Sequence, residues 1–129
     1  YGYLYQNTDK NFTILHALDG YDEISLTGNT KTISNNSEGM LSPEDFGVES
    51  LNQEEIAGGG SIESSAEIFV NILKGKGTKA QNNVVCANAG MAIATAKQIS
   101  VKEGFETARE SINSGKALKA LEKLQKLSK

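Results

Sequence analysis

In His16-Ala-Leu-Asp-Gly-Tyr-Asp-Glu-Ile-Ser-Leu-Thr-Gly28, two adjacent acids follow a short apolar run and two chain-bending residues. The apolar run, Phe12 to Leu18, lacks clean alternation and is typical of a strand that a parallel sheet covers on both faces. Asp19 and Gly20 end this run. Asp22 and Glu23 are therefore predicted to lie on a loop just past the carboxyl end of a strand, where α/β proteins place their chemistry.

The two carboxylates of Asp22 and Glu23 are candidate ligands for Mg²⁺. Mg²⁺ prefers hard oxygen ligands, keeps most of its waters and binds one or two carboxylates together with substrate phosphate. A calcium loop of the EF-hand type is excluded, because the required spacing and the final bidentate Glu are absent. Adjacent acids on a polar loop are also typical of solvated surface, so the pattern alone leaves both interpretations open.

The remaining pattern predicts an α/β fold with a mostly parallel sheet, a hairpin and flanking helices. Tyr1 to Asn7 is interpreted as the end of a helix, and Lys31 to Asn35 as a strand. The turn formers Asn36, Ser37 and Gly39 make Met40-Leu41 a candidate for the returning strand of a hairpin. Ser42-Pro43-Glu44-Asp45 predicts a helix start, and Gly47 limits that helix to about one turn.

Helices are predicted for most of the second half of the chain. Ser61, Thr78 and Ser100 are the predicted N-caps, the last two in capping boxes with Gln81 and Glu103. A last helix is predicted for residues 116–129. Ile62, Ala66, Phe69 and Leu73 are predicted to share one face of the first helix, with Ile72 beside it, and Phe105, Ala108 and Ile112 to form the inner face of the third. The second helix is rich in small residues, which predicts close packing against a neighbour in a buried position.

The other residues that could take part in chemistry are expected to have structural roles. His16 is either a general acid or base at a strand end or, as we expect, a hydrogen-bonded structural residue. Cys86 lies on an apolar helix and is expected to be an inert buried thiol. Asn88 lies on the same helix, and a buried Asn must be hydrogen-bonded, so it is expected to tie this helix to a neighbouring loop. Gly58 to Gly60 is expected to be a loop rather than a phosphate cradle.

Composition narrows the class of protein. The 129 residues include 16 acids and 13 bases, giving a formal net charge of −3, and fit a single domain. Nucleic-acid binding is disfavoured because it needs clustered Lys and Arg. No apolar run is long enough to span a bilayer. One cysteine cannot form an internal disulfide, which fits a reducing cytosol. An apolar start without Met suggests part of a longer protein.

The motifs together resemble the C-terminal part of the anthranilate phosphoribosyltransferase family. The Asp-Gly-aromatic/Leu-Asp-Glu loop, here Asp19 to Ser25, is the most specific piece. The resemblance also includes the following segments: Thr30, Ser42 to Gly47, Ile72 to Gly75, Asn88-Ala, Glu103 to Ala108, and Ser114 to Ala117. It extends over nearly the whole chain and implies the fold shared by nucleoside phosphorylases and phosphoribosyltransferases. Residues 1–129 would then be the C-terminal part of the α/β catalytic domain.

The resemblance implies an enzyme that transfers the phosphoribosyl group of phosphoribosyl pyrophosphate to anthranilate, releasing pyrophosphate in tryptophan biosynthesis. It implies that Asp22 and Glu23 hold Mg²⁺ on the pyrophosphate. It assigns no catalytic or substrate-binding residue to this chain, because the family's glycine-rich phosphate loop and its other substrate contacts would lie before Tyr1. The whole enzyme would be a cytoplasmic homodimer, and this chain alone would be inactive because both substrate sites are incomplete.

Small departures from the family pattern do not affect the acidic pair. Asn29 stands where Pro is common, and Ser65 stands where Asn is common and could remove a structural hydrogen bond. Two rival functions remain at this stage: a nucleic-acid-binding protein similar to the family, and a nucleoside phosphorylase of the same fold. The acidic balance argues against the first, and the Asp-Glu loop favours a pyrophosphate donor over the second.

Overall fold

A small antiparallel sheet and four longer helices make up most of the molecule. The computed structural model describes residues 2–35 and 37–128, so the expectations for Tyr1, Asn36 and Lys129 lie outside the described residues. In chain order the elements are α1 (Gly2–Tyr5), β1 (Thr13–Ala17), β2 (Thr30–Ser34), β3 (Glu38–Leu41), α2 (Ile62–Leu73), α3 (Lys79–Lys97), α4 (Val101–Asn113) and α5 (Lys116–Leu127). One-turn 3₁₀ helices cover Pro43–Phe46 and Gln53–Ile56.

The three described strands form one sheet in the order β1-β2-β3. β1 pairs antiparallel with β2, from Thr13 opposite Ser34 to Ala17 opposite Thr30. β2 and β3 form the predicted hairpin, with Thr30 opposite Leu41. The α/β class with flanking helices is confirmed, but the mostly parallel sheet is not, because both pairings are antiparallel. The apolar run of β1 indicates how far a strand is covered, and it does not encode the direction of the neighbouring strand.

The helices begin where their capping residues predict. The Oγ of Thr78 accepts a hydrogen bond from the Gln81 N–H at 3.1 Å, and the Gln81 side chain accepts one from the Thr78 N–H at 3.0 Å. Ser100 and Glu103 form the same reciprocal pair at the start of α4. Ser61 caps α2 by accepting from the Ser64 N–H. These bonds satisfy amide groups that have no partner within the helix, so the starts are locally encoded.

The core lies mainly between α3 and α4. Gly90 and Gly104 let the two backbones meet so closely that a Cβ built on Gly104 would lie 2.2 Å from the Gly90 carbonyl oxygen. Phe105, Ala108 and Ile112 are buried, as predicted. The core cluster comprises Ile24, Leu26, Phe46, Ile72, Cys86, Ala87, Met91, Phe105, Ala108 and Ile112. A 2.7 Å hydrogen bond between the hydroxyls of Thr13 and Thr95 joins the sheet to α3.

The predicted face of α2 is wrong in its main residues, and only its flanking residue Ile72 is buried. Ile62 and Phe69 are 85% and 52% exposed, whereas Ile72 is buried and Ile68 packs against the core. The helix carries apolar residues on more than one stripe, and tertiary packing selects the stripe of Ile68 and Ile72. The spacing of apolar residues, such as Ile62 and Ala66, therefore could not show which of the two stripes is buried.

Within residues 2–35 and 37–128, no single helix is long and apolar enough to cross a membrane. Among these residues, α3 and α4 taken as one segment are long and apolar enough for a membrane span, but the two helices are bent by 118° relative to each other.

Candidate functional site: an exposed acidic loop on a fixed frame

The two acids lie at the exposed part of a loop that connects β1 to β2. The loop is closed at its base, where the Leu18 N–H donates to the Asn29 carbonyl at 2.9 Å. Asp22 and Glu23 are both exposed, and the next three residues, Ile24 to Leu26, are buried. The pair lies on a loop after β1, as predicted, and its carboxylates face solvent next to a segment that belongs to the core.

Asp19 organises the first half of this loop. Its carboxylate accepts hydrogen bonds from the hydroxyls of Thr27 and Ser25, the latter at 3.0 Å. The Ser25 oxygen also accepts from the Thr27 N–H at 3.2 Å. The hydrogen bond from Thr27, reinforced by the one from Ser25, holds the pKa of Asp19 below its ordinary value against a smaller opposing effect of burial. Asp19 therefore stays ionised and fastens the two arms of the loop together.

Asn88 on α3 organises the second half. Its side-chain oxygen accepts from the Ile24 N–H at 3.0 Å, and its amide donates to the Ile24 carbonyl at 2.8 Å. The predicted tie between this helix and a neighbouring loop is thus confirmed. Further along, the Leu51 N–H donates to the carbonyl of Leu26, a residue held at a φ of 60°. The segment that follows the acidic pair is therefore fixed to two other parts of the fold, whereas the segment before the pair is bonded to the returning arm of the same loop.

The side chains of Asp22 and Glu23 themselves are uncommitted. Neither carboxylate takes part in a hydrogen bond or ion pair with the described residues, and the same residues contain no cluster of three or more metal-binding side chains. Two free hard-oxygen donors on a defined loop fit a cation that completes its shell with water and phosphate oxygens, as Mg²⁺ does. They do not fit a cation that needs a full cage of protein ligands.

A mostly apolar cleft of about 510 Å³ lies beside Glu23. The loop forms one wall, α3 forms another, and the one-turn helix Gln53–Ile56 contributes Ile56. Its lining comprises Tyr21, Glu23, Ile24, Ser25, Ile56, Val84, Val85, Asn88 and Ala89. Glu23 is the one carboxylate in this lining, and it is exposed to solvent.

The other candidates take structural or surface positions. His16 is exposed on β1, and its side chain makes no hydrogen bond to any described residue, so the expected hydrogen-bonded structural histidine is not found. Cys86 is 2% exposed, and burial raises the pKa of its thiol, as expected of an inert cysteine. Gly58 to Gly60 forms a loop. The Ser65 hydroxyl keeps a long, 3.4 Å hydrogen bond to the Gly59 carbonyl.

Sequence reasoning missed the role of Asp19, which it treated only as a residue that bends the chain. The available signal was the pair of hydroxyl residues, Ser25 and Thr27, on the returning arm of the loop. Asp side chains accept readily from nearby hydroxyl and backbone groups in turns, but a partner eight residues away cannot be inferred without the loop geometry.

Comparison with known families identifies the class of this chain. Residues 4–118 match the family described as "Glycosyl transferase family, a/b domain", so the chain belongs to that family. Over 128 residues it is 73% identical to anthranilate phosphoribosyltransferase of Christiangramia forsetii and 69% identical to that of Flavobacterium johnsoniae. Each alignment covers 99% of this chain and 39% of the relative. The chain therefore spans about two fifths of the length of these relatives.

Solved structures carry the same fold. The crystal structure of anthranilate phosphoribosyltransferase from Thermus thermophilus superimposes with a TM-score of 0.80 at 30% identity, covering 88% of this chain and 34% of that one. The Saccharomyces cerevisiae enzyme in complex with PRPP and Mg gives a TM-score of 0.74 at 29% identity, covering 87% of this chain and 32% of that one. The fold predicted from the resemblance is thereby confirmed.

Proposed function

We propose that this chain supplies the metal-binding loop of an anthranilate phosphoribosyltransferase. That enzyme transfers the phosphoribosyl group of phosphoribosyl pyrophosphate to the amine of anthranilate and releases pyrophosphate. The observation that carries the proposal is the exposed, uncommitted Asp22–Glu23 pair on a loop fixed at both ends, in a chain 73% identical to such an enzyme. The substrates are proposed from the Saccharomyces cerevisiae relative, which was solved in one structure with PRPP and Mg and in another with 4-fluoroanthranilate.

In this proposal Asp22 and Glu23 hold the cation, and the rest of the loop orients them. A bound Mg²⁺ would supply Lewis-acid stabilisation of the negative charge that grows on the departing pyrophosphate. Asp19 keeps the loop closed, and the buried segment from Ile24 to Leu26 fixes where the carboxylates begin. The pair has an electrostatic and positioning role rather than a proton-transfer one, and no substrate-binding residue of this chain is assigned.

The setting of the whole enzyme follows from the same resemblance. Residues 1–129 would form the C-terminal part of the α/β catalytic domain, with the phosphate loop in another segment. The reaction belongs to tryptophan biosynthesis. A cytoplasmic location is supported by one buried, unreactive cysteine, and a homodimer is proposed from the family alone. Nucleic-acid binding and nucleoside phosphorolysis are not favoured, since the net charge is −3 and the relatives compared are anthranilate phosphoribosyltransferases.

A chimeric enzyme tests the proposal. The 128 aligned residues of this chain replace the matching segment of the C. forsetii relative, and the product is assayed from anthranilate and phosphoribosyl pyrophosphate. The chimera is expected to be active, and Asp22→Asn with Glu23→Gln is expected to lower its kcat/KM by about 10²- to 10³-fold, the usual effect of losing such electrostatic stabilisation. Full activity of the double variant would refute the metal assignment.

Charge removal as such needs a matched control. Glu54→Gln with Glu55→Gln removes two adjacent exposed acids from the one-turn helix Gln53–Ile56 and changes the net charge equally. This control is expected to keep kcat/KM within about twofold, because solvent and salt screen exposed charges that do not touch the reacting groups. An equal loss in both double variants would show a general charge effect rather than a metal site.

A further inference from the structure

Asn88 holds the peptide group that adjoins Glu23. The Ile24 N–H belongs to the peptide bond between Glu23 and Ile24, and it donates to the Asn88 side chain at 3.0 Å. The Ile24 carbonyl accepts from the same side chain at 2.8 Å. Two opposed bonds from one amide fix both the plane and the direction of the backbone at this point. The backbone at Ile24, directly after Glu23, is therefore held by a residue 64 positions later in the chain.

The Asn88 side chain has no freedom to follow a moving loop. Its amide also donates to the Val84 carbonyl at 2.9 Å, one turn earlier in α3, which holds its rotamer. α3 is in turn fixed against α4 by the backbone contact at Gly90 and Gly104. The loop is thus attached to a closely packed pair of helices, whereas its carboxylates stay in solvent.

We propose that Asn88 is a positioning residue for the Asp22–Glu23 metal site. By fixing the peptide between Glu23 and Ile24, it fixes the backbone from which the Glu23 side chain extends, so that both acids can reach one divalent cation. Two carboxylates give little affinity unless they are already arranged, because an unarranged loop must lose its conformational freedom on binding. The proposal rests on the proposed function for the nature of the cation, but the anchoring itself is a property of this chain.

Variants at Asn88 in the chimeric enzyme test this role. Asn88→Ala removes all three hydrogen bonds. Asn88→Ser keeps a hydroxyl that can donate to the Val84 carbonyl, as Ser does within helices, but is too short to reach Ile24. Asn83→Ala is the matched control, because Asn83 lies on the same helix, is also half-buried, and makes no side-chain hydrogen bond with the described residues.

The first readout is binding of Mn²⁺, used as a probe for the divalent site and measured by electron paramagnetic resonance with pyrophosphate present. Both Asn88 variants are expected to weaken Mn²⁺ binding by about 10- to 100-fold, the usual effect of losing an outer partner of a metal ligand. They should also raise the Mg²⁺ concentration for half-maximal activity while leaving kcat at saturating Mg²⁺ within about threefold. Asn83→Ala should change neither quantity.

A second readout separates this inference from the proposed function. Hydrogen exchange of the Ile24 amide should be slow in the chimera and at least about tenfold faster in Asn88→Ser, since its acceptor is lost. An inactive unmodified chimera would overturn the proposed function, and the exchange and Mn²⁺ measurements would still decide the role of Asn88. Unchanged Mn²⁺ affinity in Asn88→Ser, or equal weakening in Asn83→Ala, would overturn the inference.

Discussion

The contact between Gly90 and Gly104 gives the sharpest test of how this core is built. In Gly104→Ala the new Cβ would lie 2.2 Å from the Gly90 carbonyl oxygen, 3.0 Å from its carbon and 3.2 Å from the Ala94 Cβ. The first obstacle is backbone, which cannot rotate away as a side chain would. α3 and α4 must therefore separate by about 1 Å, which opens gaps around their shared core.

Two opposing effects set the expected size of the change. Replacing Gly by Ala inside a helix favours folding by about 1 kcal/mol when nothing else changes. Overpacking a well-filled core costs about 1–3 kcal/mol, and a rigid backbone obstacle places this site at the upper end. The free energy of unfolding is therefore expected to fall by about 2 kcal/mol, so steric conflict overrides the helix propensity.

Urea unfolding followed by circular dichroism measures the change. With a slope of about 2 kcal/mol per molar urea, the midpoint should fall by about 1 M. Gly60→Ala is the control, because a Cβ there meets nothing within 4 Å, and its midpoint should hardly move. Gly90→Ala should act like Gly104→Ala, since its Cβ would lie 2.6 Å from the Phe105 backbone. A Gly104→Ala variant more stable than the original chain would refute the reasoning.

Two further predictions concern ionisable groups. Cys86 is buried and its pKa is raised, so a thiol reagent at neutral pH should label it only as fast as the chain opens, and rapid stoichiometric labelling of the native chain would contradict this. Hydrogen bonds from Ser100 lower the pKa of Glu103 in the folded chain. The ionised Glu103 therefore stabilises the start of α4 at pH values above its unfolded pKa of about 4.3. This stabilisation is lost as the pH falls through the lower pKa of the folded chain. The thermal midpoint difference between the original chain and Glu103→Gln should therefore shrink towards acid pH, and a pH-independent difference would refute the assignment.

Local signals in the sequence predicted the helix starts because the partners are close along the chain. Ser61, Thr78 and Ser100 each bond to a residue three positions later, so the sequence contains the whole interaction. The inner face of α4 was also predictable, since Phe105, Ala108 and Ile112 form one clear stripe. Where two stripes compete, as in α2, the choice depends on which neighbour packs there, and that information lies elsewhere in the chain.

Long-range features were predictable only in part. The direction of β1 depends on which strand lies beside it, and its apolar composition describes burial alone. For the site, the sequence predicted the loop position of Asp22 and Glu23 after a strand and the existence of a tie through Asn88. It did not predict the hydrogen bonds of the Asp19 carboxylate, because Ser25 and Thr27 become its partners only once the loop has folded back.

The loop reconciles two requirements that oppose each other. A divalent cation that must also take water and phosphate needs carboxylates in open solvent, and exposed loops are usually the most mobile part of a fold. In the proposed metal site, the loop is held by residues that would not touch the cation. Asp19 accepts a hydrogen bond from Ser25 on the returning arm of the loop, and Asn88 fixes the peptide beside Glu23. The segment from Ile24 to Leu26 is buried. Substitutions that spare both carboxylates should therefore still weaken cation binding whenever they release one of these anchors.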